Sequence, residues 1–167
     1  NSGTLDILGG SVYLGGSTTT AGLGLAGWNR AGGAVYLTGT LDNTAANLDL
    51  ADTGSIVLHG GTITGGQITP GVAAQLMFSA AGGKLDGATF NGDGNLDAAS
   101  AYVQLANGAR FTGSINLSGD FAHVDYVGTQ TVAGPTQAAM TGASNAVNVS
   151  GGSAVTLDAA VAIAGAV

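Results

Sequence analysis

Short apolar-x-apolar triplets recur along the whole chain, separated by stretches dominated by Gly, Thr, Ser, Asn and Asp. The clearest unit, Gly10-Ser11-Val12-Tyr13-Leu14-Gly15-Gly16-Ser17, returns as Gly33-Ala34-Val35-Tyr36-Leu37-Thr38-Gly39-Thr40 and as Gly54-Ser55-Ile56-Val57-Leu58-His59-Gly60-Gly61. Weaker copies follow at Leu76-Met77-Phe78, Val103-Gln104-Leu105, Val124-Asp125-Tyr126 and Val147-Asn148-Val149. The first apolar positions of these units lie about 23, 21, 20, 27, 21 and 23 residues apart, a period of the kind that stacks into a solenoid.

Two further sets interleave with this main one. Leu5-Asp6-Ile7, Leu48-Asp49-Leu50, Gln67-Ile68-Thr69, Asn95-Leu96-Asp97 and Ile115-Asn116-Leu117 precede it. Thr40-Leu41-Asp42, Thr62-Ile63-Thr64, Lys84-Leu85-Asp86, Arg110-Phe111-Thr112, Thr131-Val132 and Val155-Thr156-Leu157 follow it. Alternation within each triplet turns one side chain inward and its neighbours outward, as a half-buried strand requires. Three such strands in about 22 residues, bounded by Gly, Asn or Asp, predict an all-β fold: a single-stranded parallel β-helix, or β-solenoid. About seven coils form one continuous domain over residues 1–167, a rod roughly 30 to 35 Å long at about 4.8 Å per coil.

Glycine accounts for 31 of the 167 residues, and its pairs, such as Gly9-Gly10, Gly32-Gly33, Gly65-Gly66 and Gly82-Gly83, fall between the triplets, where corners belong. The same glycines argue against long helices. Ala138–Met140 and Ala159–Ala164 are open to short helical turns, as an end cap or an insertion. The stretch from Thr18 to Gly32 matches a coil poorly, and Trp28 within it is expected to pack beneath a loop. The long step from Leu76 to Val103 predicts a bulged corner loop at Gly92-Asp93-Gly94.

The stretch from Lys84 to Gly134, KLDGATFNGDGNLDAASAYVQLANGARFTGSINLSGDFAHVDYVGTQTVAG, resembles phrases of very long exported bacterial repeat proteins. These are similar in style to filamentous-haemagglutinin and autotransporter-passenger β-helices. The resemblance covers about a third of the chain closely. It implies a right-handed coil and a bacterial surface or extracellular location, in a structural rod, adhesin or fibre. It implies no particular chemistry, since such repeats serve many roles.

Composition narrows the partners. Only 8% of residues are charged, the formal net charge is −7, and Arg30, Lys84 and Arg110 are the only basic side chains apart from two histidines. Phosphate contacts sufficient for nucleic acid are therefore not available. No apolar run reaches the roughly 18 residues of a membrane span. Cysteine is absent, which excludes disulfides and thiolate metal sites. The opening residues, Asn1-Ser2-Gly3-Thr4, read as a mature or excised segment. Neither end reads as capped, so the expected partner is another coil, supplied by a longer chain or by a second copy stacked end to end.

Candidate chemistry is sparse, and neither catalysis nor a cofactor is expected. In the register above, Lys84 and Arg110 share a face in adjacent coils beside Asp86, a patch suited to a glycan carboxylate, with Trp28 as a further contact. That patch carries the alternative reading, a carbohydrate-binding or polysaccharide-processing β-helix. Asp93, Asn95 and Asp97 place oxygens at alternate positions near glycines, a weak calcium pattern. No Glu follows, and an Asx-turn corner is the preferred reading of the pattern. His59 and His123 stand alone, and the Thr-x-Thr motif at Thr62-Ile63-Thr64 is followed one coil later by charged residues.

Overall fold

A computed structural model of the chain describes residues 3–133 and 136–165. Every strand pairing in it is parallel, and partners lie 20 to 25 residues apart. The chain is an all-β solenoid in which three faces recur in fixed order.

The first face of successive coils is formed by Leu5–Ile7, Trp28–Arg30, Asn47–Asp49, Gln67–Thr69, Thr89–Phe90, Arg110–Phe111, Gln130–Val132 and Val155–Leu157. The second runs Ser11–Leu14, Ala34–Leu37, Ile56–Leu58, Leu76–Phe78, Gly94–Leu96, Ile115–Leu117, Thr136–Met140 and Val161–Gly165. The third is one unbroken seven-stranded sheet of Ser17–Thr19, Thr40–Asp42, Thr62–Thr64, Lys84–Asp86, Tyr102–Ala106, His123–Val127 and Ala146–Ser150. Seven three-strand coils are thus followed by two strands of an eighth.

Alternation decides what is buried. In Ala34–Leu37, Val35 and Leu37 point inward and are fully buried, whereas Ala34 and Tyr36 face out. Val12, Val35, Ile56 and Leu76 stand in one vertical column, and Leu14, Leu37, Leu58 and Phe78 form the next. These columns meet those of the other two faces in a single apolar core that extends from Ile7 to Ala138. Each aliphatic side chain removed from water in this way stabilises by about 1.5–3 kcal/mol.

Corners require backbone that few residues adopt. Gly66 has φ +64, and a Cβ there would overlap the carbonyl oxygen of Asn43. Asn43 itself is fully buried: it accepts from Thr20 at 2.7 Å and donates to the carbonyls of Gln67 and Gly65 at 2.7 and 3.3 Å. One amide therefore ties three successive corners and satisfies backbone groups that would otherwise be orphaned.

The structure corrects the expected register from the fifth coil onward. Val103, Val124 and Val147 do not continue the Val12–Val35–Ile56–Leu76 column; they belong to the third face, where Leu85 pairs with Leu105 one residue pair further along the same strand. Arg110 and Phe111 move correspondingly to the first face, beside Thr89 and Phe90. No loop bulges at Gly92-Asp93-Gly94: Gly94 opens a strand of the second face, and the long step spans one face more than a coil. The inward position at Gly94 is left empty of side chain because the Phe111 ring occupies that space, 2.5 Å from where a Cβ would stand.

Of the Ala-rich stretches open to helix, Ala138–Met140 lies in the strand Thr136–Met140, and Ala159–Ala164 is a turn at Ala159-Ala160 that leads into the strand Val161–Gly165. Helix occurs instead at two first-face corners, as single turns: α1 (Thr20–Leu23), capped by the Thr19 hydroxyl, and α2 (Leu50–Thr53), capped by the Asp49 carboxylate. The poorly matched segment thus holds the strand Ser17–Thr19, α1, a 3-10 turn at Leu25–Gly27 and the strand Trp28–Arg30. No helix among the described residues is long and apolar enough to cross a membrane.

Candidate functional site

The outward residues form columns as regular as the inward ones. On the third face one column reads Ser17, Thr40, Thr62, Lys84, Gln104, Asp125 and Asn148. Lys84 lies within it, between Thr62 and Gln104, and its ammonium reaches Asp86 at 2.7 Å. The hydrogen bond from Lys84, reinforced by one from Asn107, holds the Asp86 carboxyl below its ordinary pKa, against the opposing effect of burial. The hydroxyl row of Ser17, Thr40 and Thr62 ends at this ion pair.

The three residues nominated for a glycan carboxylate do not converge. Arg110 is exposed on the first face, paired with Thr89, while Lys84 is on the third. The two-cation patch expected from the sequence dissolves because the extra strand Thr89–Phe90 shifts Arg110 by one face. Trp28 sits far down the chain on the first face, partly buried against the core, and its indole donates to the Leu23 carbonyl at 3.0 Å. Arg30 is a structural cation: its guanidinium donates to the carbonyls of Thr53 and Ser55 at 2.7 and 2.8 Å, and burial lowers its pKa.

Asp93, Asn95 and Asp97 lie on and beside one second-face strand. Asp93 accepts from the Ser114 amide at 2.7 Å, one coil up. Asn95 accepts from Asn116 at 2.8 Å and donates to Gln75 at 3.3 Å, so it is a rung in an amide ladder across three coils. Asp97 is exposed. Among the described residues, no three His or Asp side chains are grouped so as to hold a metal ion.

Both histidines pack against tyrosines of neighbouring coils, which isolated sequence positions do not reveal. His59 places Nδ1 3.0 Å from the Ser79 hydroxyl and meets Tyr36 edge-on at 5.4 Å, and Tyr36 stacks on Tyr13 at 5.0 Å. His123 lies flat on Tyr102, with ring centroids 4.9 Å apart and planes within 3°. Tyr102 in turn lies over Gly82, where no side chain would fit. A groove at this corner between the second and third faces is bordered by Gly61, Thr62, Gly83, Lys84, Tyr102 and Gln104. Spacing alone could have revealed this pair, because Tyr102 and His123 occupy the same place in adjacent coils.

Comparison with family models, curated proteins and solved structures finds no match to the chain.

Proposed function

We propose that the chain is a structural or adhesive rod of a secreted or surface-exposed bacterial protein, valued for stiffness and display rather than for turnover. The observation that carries this reading is the third face: seven parallel strands in unbroken register along a single apolar core. Each coil is held by its neighbours, so length is set by coil number and bending must break ladder hydrogen bonds. The low-charge exterior of Thr, Ser, Asn and Gln suits a surface that meets many environments.

Continuation along the axis belongs to the same proposal. The inward residues of the upper strands, Val149, Leu157 and Ile163, are about half exposed, and a further coil would bury them. Such a coil belongs either to a longer chain or to a second copy stacked end to end in a fibre. Electron microscopy of the purified chain tests the reading: single rods or filaments one coil wide are expected, and compact, isotropic particles would overturn it. A viscosity-loss assay on acidic polysaccharides supplies the chemical arm, with no cleavage expected; cleavage abolished by Lys84→Ala or Arg110→Ala would replace the rod with an enzyme.

A further inference from the structure

We propose that the groove at the corner of the second and third faces, beside Tyr102, binds a neutral carbohydrate. The proposal does not depend on the rod reading. Three half-buried polar groups border this groove: the Thr62 hydroxyl, the Gln104 amide and the Tyr102 hydroxyl. None of the three has a hydrogen-bond partner among the described residues, although their neighbours along the rod, such as Asn95 with Asn116 and Asn148 with Asp125, are paired coil to coil. Together they offer donors and acceptors to a ligand that carries both.

The charge of the corner narrows the ligand class. Lys84 is neutralised by Asp86 at 2.7 Å, so the groove offers no uncompensated cation to a carboxylate, a sulfate or a phosphate. An added peptide strand would need a free sheet edge, and the strands here lie in the middle of the third face with partners on both sides. A sugar ring needs neither. It presents hydroxyls to amides and hydroxyls, and an apolar C–H face to aromatic surface.

Aromatic surface is what the same corner supplies one coil further on. His123 is stacked on Tyr102 on one side, is in register with the small Ala146 in the coil above, and has its Nε2 3.8 Å from the Asp125 carboxylate. Two residues earlier stands Phe121, 59% exposed and in the left-handed region at φ +59. The equivalent corners of the adjacent coils hold Ser100 and Ser144 in the same conformation, at φ +58 and +56. The backbone amides confirm the equivalence, since Ser100 pairs with Asp120 and Phe121 with Ala143. A bulky residue is disfavoured in this region, and Phe121 does not join the apolar core in return. Its place is explained by contact with something outside the fold.

His123, stacked on Tyr102 of the groove, reports on the site through its imidazole Hε1 NMR signal, and the single tryptophan, Trp28, held on the first face by the Leu23 carbonyl, is the internal reference. The probes are neutral hexose and N-acetylhexosamine tetrasaccharides, with a uronic-acid tetrasaccharide as the acidic arm. At roughly 10 mM, enough to occupy millimolar sites, at least one neutral probe is expected to shift His123 and leave the Trp28 indole N–H signal in place. Gln104→Ala and Phe121→Ser should each weaken that binding about tenfold. Both variants should unfold at the wild-type temperature or above, because Gln104 faces outward and serine already serves the neighbouring corners. The proposal is overturned if no neutral probe moves His123, if only the acidic probe does, or if Gln104→Ala binds as tightly as wild type. A Phe121→Ser chain that unfolds at lower temperature would also count against it, by assigning Phe121 to packing.

Discussion

One inward column of the third face passes through two different environments. Leu41, Ile63, Leu85 and Leu105 are at most 1% exposed, Tyr126 is 5% exposed, and Val149, the next residue up, is 52% exposed. The local pattern is the same at each level: an inward apolar residue directly preceded by an outward polar one, Thr40, Thr62, Lys84, Gln104, Asp125 and Asn148 in turn. What changes is whether a coil lies above. Leu157 and Ile163, inward residues of the last two strands, are likewise 44% and 46% exposed. In this solenoid, burial is conferred by the neighbouring coil, so stability is expected to be a nearest-neighbour property that decays towards an uncovered end.

The sharpest way to break that comparison is to remove methyl groups at both places. Leu85→Ala should cost about 2–5 kcal/mol, the range for a cavity that cannot collapse, whereas Val149→Ala should cost below about 1 kcal/mol. Urea titration of the two variants measures the difference, and equal losses would show that the last coil is as well covered as the middle. Next in size is the buried amide. Asn43→Ala strips partners from Thr20, Gly65 and Gln67 in a site closed to water, and a loss of about 2–3 kcal/mol is expected. Asn145 also bridges coils, donating to Leu117 and accepting from Ala122, but it is half-exposed; its replacement by Ala should cost roughly half as much, by the same titration.

The smallest effect is electrostatic. Asp86 has its pKa depressed in the folded chain by Lys84 and Asn107, so the folded state holds this proton less readily than the unfolded one. Its contribution is present above the ordinary carboxylate value of about 4 and is lost as pH falls through the lower folded value. Asp86→Asn should therefore lower the melting temperature slightly near neutrality and lessen the fall seen on going from about pH 5 to pH 2. A variant with an unchanged acid limb would show that the exposed ion pair contributes nothing there.

The first four coils were legible in the sequence because their triplets carry the same signature: an inward apolar pair around an outward Tyr, Val or Met. Val12, Val35, Ile56 and Leu76 stand in one column as their spacing predicts. The fifth coil was not legible, and the reason is physical. Thr89–Phe90 is a two-residue strand with one inward side chain, too short to show alternation. Gly94, the inward residue of the following strand, has no side chain to mark it as apolar, since Phe111 fills its volume from an adjacent face. Periodicity counts apolar letters along one strand and cannot register a core position filled from another.

The candidate site depended on that same slip. With Arg110 displaced to the first face, the expected cation pair with Lys84 disappears, and the Tyr102–His123 stack beside Lys84 comes into view. The residues of the groove were individually visible as outward polar positions. Their convergence was not, because it needs the correct assignment of faces.

That assignment is open to direct test in a chain that contains no native cysteine. In-register neighbours on adjacent parallel strands lie about 4.8 Å apart, within the Cα separation of about 4.4–6.8 Å that a disulfide spans. Lys84→Cys combined with Gln104→Cys should cross-link readily under mild oxidation, and Lys84→Cys combined with Arg110→Cys should not. Efficient closure of the second pair with failure of the first would contradict the three-face register described above.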